Sequence, residues 1–436
     1  MSLQSCLDAV CGGRPNCVAY SGDLLYQTNW VKPFNLDQPV TPAAVIRPDS
    51  AQDVADVVKC ASEYGYPVQA RSGDTWTATY GSGFTLEDLD KELHSHGGRA
   101  MAHGLCPSVG IGGHATVGGI GFLSRQWGLA LDHILEVEVV TADGEIRRAS
   151  HKENPDLFFG LMGAGASFGI ITEFKGRTEK EPGTVIQYTY SISVGSPKEM
   201  APVFRAWQDL VTDPDLDRRF GSLLVLQPLG AFVTGVFYGT EEEYEASGIA
   251  EKLPAGGDIQ IKLLDWLGSL LHVAEAATYG LAETPNAFTS RSLAFSQKDL
   301  LDPEAIDKVF AWIDEADKGS LIWSVYFDGQ GGAIADYGEG NSYPHRDTIY
   351  FYQSYVVGPL GVTDESVEFV DGLHEQMHAV APNANTTYAG YIDPSLNRTA
   401  ANEIYWGEKL PKLREVKKRW DSKNVFRNPQ SVELAD

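Results

Sequence analysis

Apolar residues in this chain fall into two regimes, short periodic stretches up to about residue 180 and longer aromatic-rich ones after it. Ala44–Arg47 reads as a short strand. Ser50 then stands three residues before Asp53 and caps a helix on which Val54, Val57, Val58 and Ala61 recur at helical spacing. Gly65 ends that helix, and Val68–Arg71 reads as a second strand running into a Ser72-Gly73 loop. Residues 85–95 form a small helix closed by Gly97-Gly98. Ile134–Thr141 and Ile146–Ala149, joined by Ala-Asp-Gly, read as a hairpin. A glycine loop at 163–169 leads into a strand at Ile170–Phe174. Beyond residue 180, strands and helices alternate and aromatics concentrate (Trp323, Tyr326, Phe327, Tyr350, Tyr352, Tyr388, Tyr391), which predicts an antiparallel sheet with helices on one side. Residues 405–420 read as one helix followed by an extended tail.

At 436 residues the chain exceeds what one core usually holds, so two domains are expected. A formal charge of −25 argues against nucleic acid and against anionic membrane surfaces as partners. The one basic stretch, Lys409 to Arg419, reads as a solvated helix face. No apolar run reaches the length of a membrane span. Five cysteines (Cys6, Cys11, Cys17, Cys60, Cys106) leave at least one outside any intrachain disulfide. No zinc-type spacing is present, and no metal is expected. The N-terminus carries no secretory signal pattern, so the protein is intracellular if the chain is complete. Sequons at Asn385 and Asn397 are compatible with secretion.

The densest chemistry lies in residues 103–121, where Gly110, Gly112, Gly113, Gly118, Gly119 and Gly121 accompany Cys106. Glycine at that density predicts a backbone that passes close to something flat or anionic. A dinucleotide fingerprint at 110–115 is rejected, because no tight strand-loop-helix unit surrounds it.

Four segments carry a family pattern. They are Gln69-Ala-Arg71-Ser72-Gly73, His103-Gly-Leu-Cys106 running to His114, Gly163-Ala-Gly-Ala-Ser-Phe-Gly169 with Ile170 and Ile171, and Asn424-Val-Phe-Arg-Asn428-Pro-Gln430. Together they resemble the FAD-linked oxidases of the vanillyl-alcohol oxidase and berberine bridge enzyme type, most of all the fungal glucooligosaccharide and chito-oligosaccharide oxidases. The resemblance implies an α+β, two-domain FAD-binding (PCMH-type) fold. Residues 1–178 and 403–436 would form the flavin domain, and 179–402 an antiparallel-sheet substrate domain. It implies a secreted monomer that oxidises an oligosaccharide's anomeric hydroxyl to a lactone while O2 becomes H2O2. A berberine-bridge-like oxidase of a secondary metabolite and a catalytically silent relative are the alternatives.

By the same resemblance FAD would be held by Arg71, Ser72, Gly73, Asp74, Thr75, Cys106, Val109, Gly110, Gly112, Gly113, His114, Gly118, Gly119, Gly121, Gly169, Ile170, Ile171, Asn428 and Gln430. Cys106 falls on a flavin-linking cysteine. Thr75 stands where relatives carry a linking histidine, so no histidyl bond is expected, and Asp74 replaces a glycine. The pattern also contains a segment after Gly83 that this chain lacks, about two strands' worth. Tyr391 is the implied base, oriented by Asp328, with Trp323, Gln353 and Tyr388 lining the cleft. From spacing alone, Tyr388 and Tyr391 on a regular strand would face opposite ways, so a bulge or strand end must intervene at Gly390. His103, His114 and His345 read as satisfied polar groups without a chemical role.

Overall fold

The computed structural model describes residues 2–31, 40–68, 81–192, 195–228, 230–253, 257–270, 285–338 and 340–435. Its strands in chain order are β1 (Val18–Tyr20), β2 (Ala44–Ile46), β3 (Arg99–Ala100), β4 (Ile134–Val140), β5 (Ile146–Ser150), β6 (Ile170–Gly176) and β7 (Glu179–Lys180). They continue with β8 (Val185–Ile192), β9 (Phe220–Gln227), β10 (Gly230–Phe237), β11 (Asp258–Leu264), β12 (Ala287–Ser296), β13 (Trp323–Gly329) and β14 (Thr348–Gly358).

The predicted helix at 51–63 forms, with the Ser50 hydroxyl accepting from the Asp53 amide. The predicted hairpin is β4 and β5, paired antiparallel, and β6 joins β4 on its other side. Its turn closes through a bond from the Gly144 amide to the Thr141 carbonyl at 2.8 Å. Gly144 has φ +77°, a conformation that favours glycine. This small sheet packs with the helix Pro155–Ala164 and with Tyr405, Trp406, Leu413, Val416 and Val432 from the end of the chain. One core therefore joins sequence separated by some two hundred residues.

The aromatic-rich region forms one seven-stranded antiparallel sheet in the order β11-β8-β10-β9-β13-β14-β12. Helices Ala201–Val211, Pro303–Glu315 and Asp364–Val380 cover one face, with Phe204, Trp207, Phe310 and Phe369 packed against Phe327, Tyr350 and Val325. The other face turns toward the glycine-rich loop and the small-sheet core.

Two features differ from the sequence expectation, and a third bears it out. The single C-terminal helix is two, Arg398–Trp406 and Leu410–Trp420, broken at Gly407, which has φ +43°. The basic stretch is not wholly solvated. Lys417 is fully buried, pairing with Asp421 at 2.6 Å and donating to the Ser167 and Phe426 carbonyls. Burial alone would expel that ammonium, but a counter-ion and two carbonyls replace its water. Finally, the cysteine arithmetic resolves into Cys6–Cys60 and Cys11–Cys17 disulfides, leaving Cys106 outside both.

Candidate active site at the sheet–loop junction

Alternation along β13 decides which side chains reach the site. Trp323, Val325 and Phe327 point into the helix-covered core. Tyr326 and Asp328 point the other way, alongside Gln353 and Phe351 of β14, which pair with them in register. Trp323 is therefore not in the cleft. Its ring packs edge-on to Phe369 at 5.9 Å and beneath the Lys318 ammonium. Odd spacing from Asp328 already required this. The cleft wall is instead Tyr326, Gln353 and Tyr355, with Phe288 stacked on Tyr355 at 4.7 Å. Neither Tyr326, Tyr355 nor Phe288 was assigned a site role from sequence, although the same parity selects Tyr326.

Tyr388 and Tyr391 lie on a turn rather than a strand. The Tyr391 amide donates to the Tyr388 carbonyl at 2.8 Å, and the two rings meet edge-to-face at 5.1 Å. The turn thus presents both rings to one place, and Phe351 meets Tyr391 at 5.9 Å. Tyr388 is engaged with protein: its hydroxyl accepts from the Gly119 amide at 3.0 Å, and its ring lies 2.8 Å from where a Gly118 Cβ would be.

Burial drives the Tyr391 phenol well above its ordinary range, and the charge of Asp328 adds to the effect. Asp328 keeps an edge open to the cleft, yet desolvation in its narrow surroundings pushes its carboxyl up to about 7. The pair therefore favours a neutral phenol beside a carboxylate that takes protons near neutrality. Cys106 closes the group from the loop side, near enough for a thiolate there to raise Tyr326, Tyr355 and Tyr391.

The glycine run divides into two uses. Gly118, Gly119 and Gly121 serve packing: a Cβ on Gly121 would lie 1.7 Å from the His103 carbonyl oxygen. Gly110, Gly112 and Gly113 begin a one-turn helix, Ile111–His114, with Gly112 half-buried and Gly113 exposed. Val109 beside them is 38% exposed, a surface open to a bound ring system. The run is held by two histidines that grip the backbone of a single residue. The Gly104 amide donates to His114 Nε2 at 2.7 Å, while His103 Nδ1 faces the Gly104 carbonyl at 2.9 Å. His103 Nε2 faces Asp90 at 2.7 Å. Since both His103 partners accept only, both its nitrogens donate and it is an imidazolium. His114 accepts and is neutral, with burial pulling it down to about 3.

The other assigned residues sit as follows. Arg71, Ser72, Gly73, Asp74 and Thr75 lie outside the described residues. Gly169 abuts Val139 and Val140, and Ile170 and Ile171 begin β6, Ile171 being buried. Gln430 has its amide fully engaged within the protein. It accepts from Tyr405 and donates to the carbonyls of Asp393 and Leu396. The Asn428 side-chain oxygen accepts from the Gln430 backbone amide at 2.8 Å. These partners run against the expectation of cofactor contact for the Gln430 side chain, since both its N–H donors go to protein carbonyls and its oxygen accepts from Tyr405. Among the described residues no cluster of three His, Cys, Asp or Glu side chains could hold a metal, and no helix is long and apolar enough to cross a membrane.

A thiol close enough to act on Tyr391, with a half-buried Gly112, an exposed Gly113 and an open apolar Val109 a few residues along the same loop, fits the ring of a flavin. Residues 73–150 match a family described as FAD binding domain, and 387–433 one described as berberine and berberine like. FAD-linked oxidoreductase sorD of Penicillium rubens is 34% identical across 99% of this chain and 98% of its own length. The chain belongs to the berberine bridge enzyme-like FAD-linked oxidoreductases. This FAD-linked oxidoreductase is also similar to the xylooligosaccharide oxidase of Thermothelomyces thermophilus, at 29% identity over 94% of the chain and 91% of the relative. The solved xylooligosaccharide oxidase from Myceliophthora thermophila C1, in complex with xylobiose, superposes with a TM-score of 0.90 at 26% identity, covering all of both chains. Carbohydrate oxidase from Microdochium nivale, in complex with a substrate analogue, gives 0.88 at 26%, again covering all of both chains.

Proposed function

We propose that this FAD-linked oxidoreductase oxidises the anomeric hydroxyl of an oligosaccharide to a lactone, with O2 reduced to H2O2. The juxtaposition of Asp328 and Tyr391 across from Cys106 carries the reading. FAD, when bound, would supply the hydride acceptor, and Cys106 and the 109–113 backbone would hold it. The chain's own part is the proton. Tyr391 accepts it from the substrate hydroxyl as its phenolic proton passes to Asp328. This order avoids a free phenolate, which burial and the neighbouring carboxylate both disfavour. Gln353 supplies an amide for sugar hydroxyls, and Tyr326 and Tyr355 supply faces on which a sugar ring can lie. The family's xylo-, chito- and glucooligosaccharide oxidases support a sugar substrate.

A second reading, oxidation of an aromatic secondary metabolite, is supported by the Phe288–Tyr355 stack beside Tyr326 and by the Penicillium relative, whose name specifies no sugar. A flavin domain shortened after Gly83 fits an alignment to that relative of 464 residues, longer than this 436-residue chain. Two disulfides support residence in an oxidising compartment.

Peroxide release from the flavin-loaded enzyme, screened across xylo-, chito- and gluco-oligosaccharides and across phenolic alcohols, tests these readings. Turnover of a sugar that disappears in Tyr391→Phe supports the first. Turnover of phenolic compounds alone overturns it in favour of the second. Protein that stays colourless with excess FAD overturns both.

A further inference from the structure

The turn that carries Tyr391 is tied on its upstream side through Tyr388, whose hydroxyl accepts from the Gly119 amide and whose carbonyl accepts from the Tyr391 amide. Downstream, Ile392 is 62% exposed, and the Tyr391 ring meets Phe351 and Tyr388 edge-to-face. Two residues on, the Asp393 peptide is held from both ends. Its amide donates to the Tyr405 hydroxyl at 3.0 Å, and its carbonyl accepts from Gln430 Nε2 at 2.6 Å. Tyr405 donates in turn to Gln430 Oε1 at 3.0 Å, closing a ring of hydrogen bonds around the Asp393 backbone. Gln430 Nε2 spends its second proton on the Leu396 carbonyl at 3.0 Å, where the same loop ends. The Asp393 carboxylate is fixed by Ser395 and paired with Arg291, which also binds Asp371. Tyr405 is 2% exposed and Gln430 and Asp393 8% each, so water does not substitute readily for a lost partner.

We propose that Gln430 and Tyr405 are positioning residues, caging the Asp393 peptide and thereby fixing the turn that presents the Tyr391 phenol to Asp328. Gln430 thus sets the geometry of a group some forty residues earlier in sequence. The assignment rests on the reading that Tyr391 handles the substrate proton. It replaces a cofactor-contact role for the Gln430 side chain, whose polar atoms all face protein.

The test uses flavin-loaded enzyme with 3-fluorotyrosine placed at position 391 and read by fluorine NMR, which needs no substrate. The unmodified cage should give one resonance. Gln430→Leu should shift and split or broaden it while bound flavin per protein stays unchanged. Tyr405→Phe keeps ring volume and removes only the hydroxyl; it should move the resonance the same way and serves if Gln430→Leu does not fold. Leu413→Ala is the control. Leu413 is fully buried in the small-sheet core and has no polar side-chain atom to offer the Asp393–Gln430–Tyr405 cage. It should lower the melting temperature and leave the resonance in place. On whichever substrate the peroxide screen yields, Gln430→Leu should lower kcat about 100-fold with little change in KM, the scale of a small misplacement of a reacting group.

An unmoved resonance in both cage variants overturns the proposal, as does flavin loss in proportion to the resonance change, which would make Gln430 a cofactor ligand. An equal shift in Leu413→Ala would reduce the effect to general loosening and overturn it too. Full turnover in Tyr391→Phe sinks the proton-transfer reading and, with it, the catalytic meaning of the cage; the fluorine spectra register that failure separately.

Discussion

The two faces of the seven-stranded sheet are built by the same strands and do opposite work. On the helix side, Phe204, Trp207, Phe327 and Tyr350 form a set of rings with centroids 4.5–6.2 Å apart and almost no exposure. On the cleft side, one residue along each strand, stand Tyr326, Asp328 and Gln353, all partly open. Adjacent positions of β13 therefore separate stability from chemistry, because strand alternation sends Phe327 one way and Asp328 the other. The cleft face tolerates a carboxylate with a distorted affinity for protons because the face behind it is packed tightly enough to hold the strand still.

Substitutions along β13 and its neighbours can break or sharpen that division. The largest expected effect is on the cleft side. Tyr391→Phe should cost about 10²- to 10⁴-fold in kcat, the usual worth of positioned acid–base catalysis, while the melting temperature stays put. A parallel loss of stability would show that the faces are not separate. Next, Phe327→Ala should lower the unfolding free energy by about 3–5 kcal/mol in denaturant titration, as deletion of a fully buried ring does. The flavin content of the protein that remains folded should be unchanged.

The pH dependence divides similarly. Asp328 is neutral in the folded and unfolded states below its ordinary 3.8, and ionised in both above about 7. The fold carries the cost of its charge only at the higher pH. Its contribution to stability thus falls as pH rises from about 4 to about 7, and Asp328→Asn should flatten that part of a melting-temperature profile. Turnover should run the other way, rising through about pH 7 as the carboxylate forms, and Asp328→Asn should abolish that rise. The smallest effect is expected at Trp323. Trp323→Phe should cost about 1–2 kcal/mol of stability and leave KM unaltered, because the ring packs on Phe369 outside the cleft. A raised KM there would contradict the parity of β13.

Much of this arrangement was legible in the residues themselves. Capping at Ser50, the hairpin at 134–149 and the antiparallel sheet with helices on one side follow from local chemistry and periodicity, and all three form. The resolution of the Tyr388–Tyr391 conflict was also foreseeable, since spacing by three forbids a regular strand and Gly390 permits a turn. Trp323 was misplaced because family likeness outweighed a parity that the spacing to Asp328 stated plainly. Lys417 was misread because a basic run gives no sign of which member turns inward; only Asp421, four residues on, hints at a partner. Nothing in the cysteine spacing selects Cys6–Cys60 over other pairings, because the partners meet through tertiary packing of two helices. Gln430 was assigned to a ligand for a similar reason: its partners, Asp393 and Tyr405, come from distant sequence. Residues 71–75, on which the expected departure from histidyl linkage turns, lie outside the described residues.

The Gly104 peptide is clasped by one ring that must carry a proton and another that must not. That requirement makes the clasp a chemical logic gate with a wide open state. Acid closes it only near the low affinity of His114, and alkali closes it once His103, held above its ordinary value by Asp90 and the Gly104 carbonyl, gives up its charge. Between those limits the segment leading to Cys106 has a single arrangement that satisfies every donor. The backbone two residues before Cys106 is thereby held only while two neighbouring imidazoles keep unlike protonation states.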